Sequence, residues 1–310
     1  MPELPDILLY LAALGPRIVG HRITAIRLVT PFLLRSISPS LSDVEGRVVV
    51  GLDRLGKRVV IALEGEIFLI IHLMIAGRFR WKPRGAKVPG KVGLLAIDFD
   101  HGTLVMTEAG SRRQASLYVV AGRDALAAHD PGGLDVFAID LPTFVEAIQR
   151  ENHTLKRALT DPHIFSGIGN AYSDEILHAA GMSPFKQTRQ LSSEELARLY
   201  EATRATLATW IARLQRETGD AFPEKVTAFR PEMAVHGRYG LPCPTCGSSV
   251  QRVVYAANEA NYCATCQTGG RLLADRSLSR LLKDDWPRTL EELERRRARR
   301  VVPTRPTYDS

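Results

Sequence analysis

Four cysteines set the strongest constraint on how this chain folds: Cys243-Pro-Thr-Cys246, sixteen residues, then Cys263-Ala-Thr-Cys266. Two Cys-x-x-Cys pairs at this separation offer four thiolates, the donor set of tetrahedral zinc. A shell closed by four cysteines leaves no position open for water or substrate, so such a site is structural. Val250–Tyr255 and Ala260–Tyr262 read as two strands of a hairpin clipped by the ion. Redox dithiols are the competing reading of the same pairs. A disulfide scaffold is excluded, because four cysteines are too few for a chain of 310 residues. The expectation is one structural zinc held by Cys243, Cys246, Cys263 and Cys266 in a module spanning 236–270.

That module is a small part of the chain, and a chain of 310 residues at 45% apolar overall can bury a sizeable core, in two or three domains. Pro5-Asp6 reads as the first turn of a helix that continues through Ile7–Leu14 and stops at Gly15-Pro16. The apolar run of that helix falls far short of the ~20 residues of a membrane span. No Lys or Arg precedes it, and Glu3 and Asp6 are acidic where a secretory signal is basic, which favours a soluble, cytosolic protein. From Arg22 to about Val120 the pattern is β-rich: Arg22–Val29 alternates imperfectly, Arg58–Leu63 and Ile67–Phe79 flank a turn at Glu64-Gly65-Glu66, and Asp100-His101-Gly102 reverses the chain before Thr103–Thr107. After Asp130-Pro131-Gly132-Gly133 the periodicity becomes helical over Thr143–Glu151, Leu155–Leu159, Tyr172–Ala180 and Ser192–Glu217. The resulting expectation is an α+β multidomain protein. An N-terminal helix plus β-sandwich fills 1–130, a helical domain 131–235, the zinc finger 236–270, and a basic, partly disordered C-terminal extension 271–310. Lys plus Arg exceed Asp plus Glu by 41 to 34, and the net charge of +7 leans toward a polyanionic partner.

Two further features carry chemistry. Phe165-Ser166-Gly167-Ile168-Gly169-Asn170-Ala171-Tyr172 places a glycine turn before an amphipathic helix. Free N–H groups and the helix dipole there suit a phosphate, with Asn170 available as a cap. At the start, removal of Met1 would expose the secondary amine of Pro2. An α-amino group, with a pKa near ~8, keeps a useful unprotonated fraction at neutral pH. Such an amine can attack an aldehyde-like carbon and form an iminium, and Glu3 beside it supplies a carboxyl for proton transfer. Met-Pro openings and glycine-containing helix connections are both common, so neither names a function alone.

Together and in this order, four segments resemble the formamidopyrimidine-DNA glycosylase/endonuclease VIII family of DNA repair enzymes: the opening Pro2–Asp6, Gly56-Lys57 before a strand, Phe165–Tyr172, and Val235-His236-Gly237-Arg238-Tyr239-Gly240 leading into Cys243. The resemblance runs from Pro2 to Cys266. It implies a helix–two-turns–helix in the helical domain and a bifunctional DNA glycosylase/AP lyase of base excision repair that removes oxidised or ring-opened bases. By resemblance Pro2 attacks C1′ of the damaged nucleotide, and the iminium permits β- and δ-elimination. Glu3 shuttles protons, Lys57 contacts the flanking phosphates, and Gly167, Gly169 and Asn170 grip the backbone of the flipped nucleotide. The implied partner is double-stranded DNA with damaged bases or abasic sites, met by a monomer in the bacterial cytoplasm at the nucleoid.

The departures from the family pattern are specific. His72-Leu73 is followed by Met74-Ile75, so Ile75 stands at the methionine of the base-wedging set. The second wedge loop reads Arg112-Arg113-Gln114, with Gln114 where phenylalanine is usual. Asp6 replaces a longer glutamate near the damaged-base pocket, Asn258 matches the finger's usual arginine, and 219–231 lacks an obvious counterpart of the loop that caps oxidised purines. These leave lesion and opposite-base preference open. They also keep an alternative in play, a non-catalytic or AP-lyase-only damaged-DNA binding protein, against which the retained Pro2 and Glu3 argue. A zinc-stabilised nucleic-acid protein related only by its helical motif would leave the N-terminus unexplained. The run Arg295, Arg296, Arg297, Arg299 and Arg300 reads first as a solvated basic tail, with added non-specific DNA affinity as the alternative.

Overall fold

The computed structural model describes residues 1–310 except 111, 225, 228, 256–257, 275–286 and 302–310, with backbone only at 255, 258 and 297–301. The end of the extension, expected to be disordered, lies largely outside the described residues. Two compact units emerge: Met1–Ile148 with Leu159–Gly169 and Thr203–Ala228, and Gln149–Ala158 with Asn170–Ala202 and Phe229–Ser310.

The first unit is built on two four-stranded antiparallel sheets. One has the order β2-β3-β4-β8 (Val49–Leu55, Arg58–Leu63, Ile67–His72, Ser116–Ala121). The other has the order β1-β6-β7-β5 (Ala25–Leu28, Gly93–Phe99, Gly102–Glu108, Gly77–Lys82). Alternation assigns the faces: Val59, Ile61 and Leu63 of β3 enter the main core, while Val60 joins Phe68, Ile70 and Val120 in a smaller cluster on the opposite face. Helix α1 (Leu4–Ile18) lays Ile7, Tyr10, Leu14 and Ile18 into the main core at helical spacing. It does not stop at Gly15-Pro16. Pro16 sits inside the last turn, and the helix continues because Ile18, fully buried, gains more from the core than the single missing N–H costs. Two strand expectations are also revised. Arg22–Val29 is regular only over β1, and Ile67–Phe79 is broken into β4 and β5 by a loop in which Met74 has φ 52°.

In the second unit, helix α5 (Asn170–Ala179) carries a buried ionic cluster. Lys156 Nζ donates to Asp174 Oδ1 at 2.5 Å and to Asn170 O at 2.6 Å, and Asp174 Oδ2 meets His236 Nδ1 at 2.8 Å and Asn261 Nδ2 at 3.1 Å. Glu175 accepts the backbone N–H groups of Ala234, Val235 and His236 at 2.7–2.9 Å. Two adjacent carboxylates thereby tie α5 to the segment that leads into the cysteine module. Ser192 and Glu195 form a reciprocal cap at the start of the long helix Ser193–Thr218. The module itself is a two-stranded ribbon, β9 (Val250–Tyr255) against β10 (Asn258–Cys263), longer on its second strand than its sequence suggests. Among the described residues no helix is long and apolar enough to cross a membrane.

Candidate active site and metal centre

The N-terminus of α1 is where the first unit concentrates functional groups. Pro2 and Glu3 are buried. The Glu3 N–H donates to Asp6 Oδ2 at 3.0 Å, so Asp6, itself buried, is engaged as the helix-capping partner of Glu3. The Glu3 carboxylate accepts the Gly169 N–H at Oε2, 2.7 Å away, and the Leu4 N–H reaches Gly167 O at 2.9 Å.

These contacts explain both glycines. Gly167 has φ +85°, and a Cβ there would lie 2.8 Å from Leu4 Cβ; a Cβ on Gly169 would lie 2.5 Å from Glu3 Cδ. The turn expected to cradle a phosphate thus first holds the chain's own N-terminus. Asn170, expected as a possible cap, is instead the first residue of α5, and its carbonyl is taken by Lys156 and Ser173.

Lys57 sits with Gly56 in the two-residue turn between β2 and β3, where Leu55 pairs with Arg58. Its Nζ donates to Ile168 O at 3.1 Å, in the same glycine turn that binds Glu3. Burial lowers the Lys57 pKa, and the nearby Glu3 charge partly offsets this. The Met1 amine is lowered as well, first by burial; Glu3 and Asp6 oppose the shift while Arg78 and Lys57 add to it. An amine at this end of α1 therefore sits in a desolvated pocket between carboxylates and cations.

The two loops expected to wedge the bases are adjacent: a Cβ built on Gly110 would lie 4.0 Å from Ala76 Cβ. Ile75 is 65% exposed at the tip of the first loop. Arg112, Arg113 and Gln114 are all exposed on the second. Arg113 is held by Lys91 O at 2.7 Å and Thr30 Oγ1 at 3.1 Å.

Sequence reasoning missed the groups that shape these loops. Buried Glu108 accepts the N–H groups of Gln114 (3.0 Å) and Ala115 (3.3 Å), and Arg78 Nη1 donates to Ile75 O at 3.1 Å. A charged residue at the end of one strand and the start of another, beside loops already singled out, was the available signal for both.

In the second unit the four cysteines converge. Their sulfurs all lie within 4.8 Å of one another, with Cys246–Cys263 at 3.4 Å and Cys243–Cys266 at 4.0 Å. Four Zn–S bonds in a tetrahedron put sulfurs ~3.8 Å apart, so the set fits one zinc ion. His178 Nε2 lies 3.3 Å from Cys243 Sγ, and the Cys266 N–H points to Cys263 Sγ at 3.5 Å; such outer contacts orient thiolate ligands. Asn258 opens β10, and its side chain lies outside the described residues. A ribbon cation not singled out from sequence is Arg252, which stacks 4.8 Å over the Tyr239 ring and pairs with Glu259 at 3.5 Å.

Three family models match along the chain: the formamidopyrimidine-DNA glycosylase N-terminal domain over 1–116, the H2TH domain of the same enzyme over 131–220, and the zinc finger found in FPG and IleRS over 240–269. The formamidopyrimidine-DNA glycosylase of Thermus thermophilus is 33% identical over 282 residues, covering 87% of this chain and all of that protein. The chain belongs to the formamidopyrimidine-DNA glycosylase family. A Mycobacterium tuberculosis protein described as an uncharacterized formamidopyrimidine-DNA glycosylase-like protein is 42% identical over 164 residues, 53% of this chain and the whole of that one. The fold matches that of Lactococcus lactis Fpg solved with abasic-site DNA, with a TM-score of 0.75 at 23% identity over 86% of this chain and 99% of that one. Family membership accounts for the order of parts: N-terminal sandwich domain, helical H2TH region, then a zinc finger with one structural zinc.

Proposed function

We propose that this member of the family is a bifunctional DNA glycosylase and AP lyase of base excision repair, acting on oxidised or ring-opened bases. The observation that carries the reading is the convergence of Glu3 Oε2 on the Gly169 N–H and of Lys57 Nζ on Ile168 O, at the buried start of α1. Once Met1 is removed, the secondary amine of Pro2 stands in that pocket. Desolvation of the kind that lowers the Met1 amine favours its neutral, nucleophilic form. Its lone pair attacks C1′ of an extruded nucleotide, the bond to the base breaks, and the departing base takes up a proton. Opening of the sugar ring, with Glu3 protonating its oxygen, leaves an iminium between Pro2 and C1′. Loss of a C2′ proton then expels the 3′ phosphate, and a second elimination expels the 5′ phosphate.

Lys57, a cation beside this pocket, is suited to the phosphates flanking the lesion. Extruding a nucleotide costs a few kcal/mol of stacking. Exposed Ile75 and the Arg112-Arg113-Gln114 loop, meeting at Gly110 and Ala76, are the groups in this chain suited to fill the gap. Gln114 would hydrogen-bond to the orphaned base, which ties opposite-base preference to that side chain. The division of labour follows: 1–130 for chemistry, 131–235 for the backbone grip through Gly167, Gly169 and Asn170, and 236–270 for duplex binding, with Asn258 a weaker contact than an arginine. The setting is double-stranded DNA in the bacterial cytoplasm, met by a monomer.

Borohydride trapping on a duplex with an abasic or formamidopyrimidine site tests the reading. A covalent adduct is expected with protein whose first residue is Pro2 and a much weaker one with Pro2→Gly, whose primary amine is a differently placed nucleophile; equal adducts from both proteins would overturn the nucleophile assignment. Lesion-specific binding without strand cleavage would favour a non-catalytic binder.

A further inference from the structure

The zinc finger carries a layer that its own metal fold does not require. Beyond the short helix α7 (Ala264–Thr268) the chain is pinned back to it: Leu290 N–H donates to Gly270 O and Leu272 N–H to Arg288 O, both at 3.0 Å, and Arg271 pairs with Thr289. The Leu273 N–H donates to the Tyr262 hydroxyl of β10 at 2.8 Å. Leu290 is buried with Val253, Tyr262 and Ala264, and Leu272, Leu273 and Leu293 pack around this cluster. The C-terminal helix Leu290–Val301 is therefore docked on the ribbon through its first turn. The family's zinc-finger match ends at residue 269, and 86% of this chain already spans 99% of the Lactococcus protein. The layer is an addition to what the family shares.

Its charge is lopsided. Glu291 and Glu292 occupy the first turn, whereas Arg295, Arg296, Arg297, Arg299 and Arg300 crowd the end. A helix C-terminus carries roughly half a negative charge, which one cation satisfies, so five exceed what helix stability requires. Arg295 lies 3.4 Å from Glu291, but both side chains are largely exposed, and such pairs hold little energy. Arg295 and Arg296 are exposed, and Arg295 falls by helical periodicity on the side away from Leu290 and Leu293. Glu291, Glu292 and Glu294 offset three of the five charges, so the helix contributes +2 of the chain's formal +7, all of it at its C-terminal end. Guanidinium groups match phosphate oxygens in a two-pronged geometry, and cations fixed to a folded body lose less entropy on binding than cations on a loose tail.

We infer that Leu290–Val301, docked on the zinc finger, is an added phosphate-binding surface by which this protein grips duplex DNA outside the part shared with its family. The inference rests on the DNA-repair reading above.

The test uses the full-length, zinc-loaded protein and anisotropy of a labelled undamaged duplex titrated from about 50 to 200 mM salt. Replacing the five arginines together by glutamine is expected to make the slope of log affinity against log salt shallower by about 2 to 4, at ~0.9 for each phosphate no longer neutralised. Replacement by lysine should keep most of the slope. Leu293→Asp, which keeps every cation but undocks the helix, should lose at least about threefold in affinity, as a loss of preorganisation predicts. An unchanged slope in the glutamine protein overturns the inference, as does full affinity in Leu293→Asp or a loss confined to single-stranded RNA. Borohydride trapping on abasic duplex at low salt separates the two readings. Trapping with an unchanged slope rejects only this surface, whereas a shallower slope without trapping by the parent protein rejects only the enzymatic reading.

Discussion

The backbone N–H of Gly169 donates to Glu3 Oε2 at 2.7 Å, joining residues 166 apart in the chain. The glycine turn therefore sets the carboxylate's position as well as offering backbone donors. Gly169 is held to glycine by proximity, since a Cβ would fall 2.5 Å from Glu3 Cδ and 2.6 Å from Oε1. The obstructing atoms belong to the end of a flexible side chain, so it is the carboxylate and not the backbone that gives way. Gly169→Ala should leave thermal stability within about 1 kcal/mol of the parent. Base excision in single-turnover assays should drop about 100-fold, the scale of a misplaced acid–base group. Parent-like excision would show that Glu3 does not need this position.

His72, at the end of β4, supplies a pH dependence. Burial first, then the charges of Arg58 and Lys57, push its pKa down to about 4, and its Nε2 is buried without a hydrogen-bond partner among the described residues. The unfolded chain, with an ordinary histidine near pH 6.5, binds the proton more readily than the folded one between pH 6.5 and 4. Folding stability therefore falls as pH drops through that window and gains nothing from this group above it, with a ceiling of about 3 kcal/mol. Urea midpoints of the parent and His72→Gln should diverge as the pH is lowered from 6.5 to 4. A constant difference would mean that His72 titrates normally.

Zinc removal tests the cysteine cluster. Thiolates held as close as 3.4 and 4.0 Å repel one another once the ion is removed, and the ribbon's apolar support is two small clusters, Val235 and Val250 with the cysteines and Val253 and Tyr262 with Leu290. Chelation should open the segment from Arg238 to Gly270 to protease and make all four thiols reactive. Duplex affinity should fall at least about tenfold, as the loss of a few phosphate contacts predicts. A chelated protein that resists protease between those residues would contradict the assignment.

Much of this was legible in the sequence because the signals were local. The cysteines of each Cys-x-x-Cys pair and the Glu64-Gly65-Glu66 turn lie within a few residues of one another, and short-range chemistry fixes them. What escaped depended on distant partners. Glu108 holding the Arg112–Gln114 loop, Arg78 bracing Ile75 and the docking of Leu290 on Tyr262 and Val253 are pairings whose partners the sequence does not mark. The end of α1 shows the same limit. Gly15-Pro16 is a sound local stop signal, overridden by a core that only the assembled sheets create.

The buried cluster on α5 gives the sharpest stability contrast. Lys156 and Asp174 are 2% and 0% exposed and lie 2.5 Å apart, and Asp174 also receives His236 and Asn261. Removing the lysine alone leaves a buried carboxylate short of its charge partner, a defect that costs about 3–5 kcal/mol. It also frees the Asn170 carbonyl at the start of α5. Lys156→Met should therefore lower the urea midpoint steeply and weaken DNA binding together. Asp174→Asn, which keeps the shape and one acceptor but strands the ammonium, should destabilise by a similar amount. The double variant Lys156→Met/Asp174→Asn removes both charges, so its loss should be clearly smaller than the sum of the two single losses. Equality with that sum, measured in a double-mutant cycle, would show that the two groups do not act as a pair.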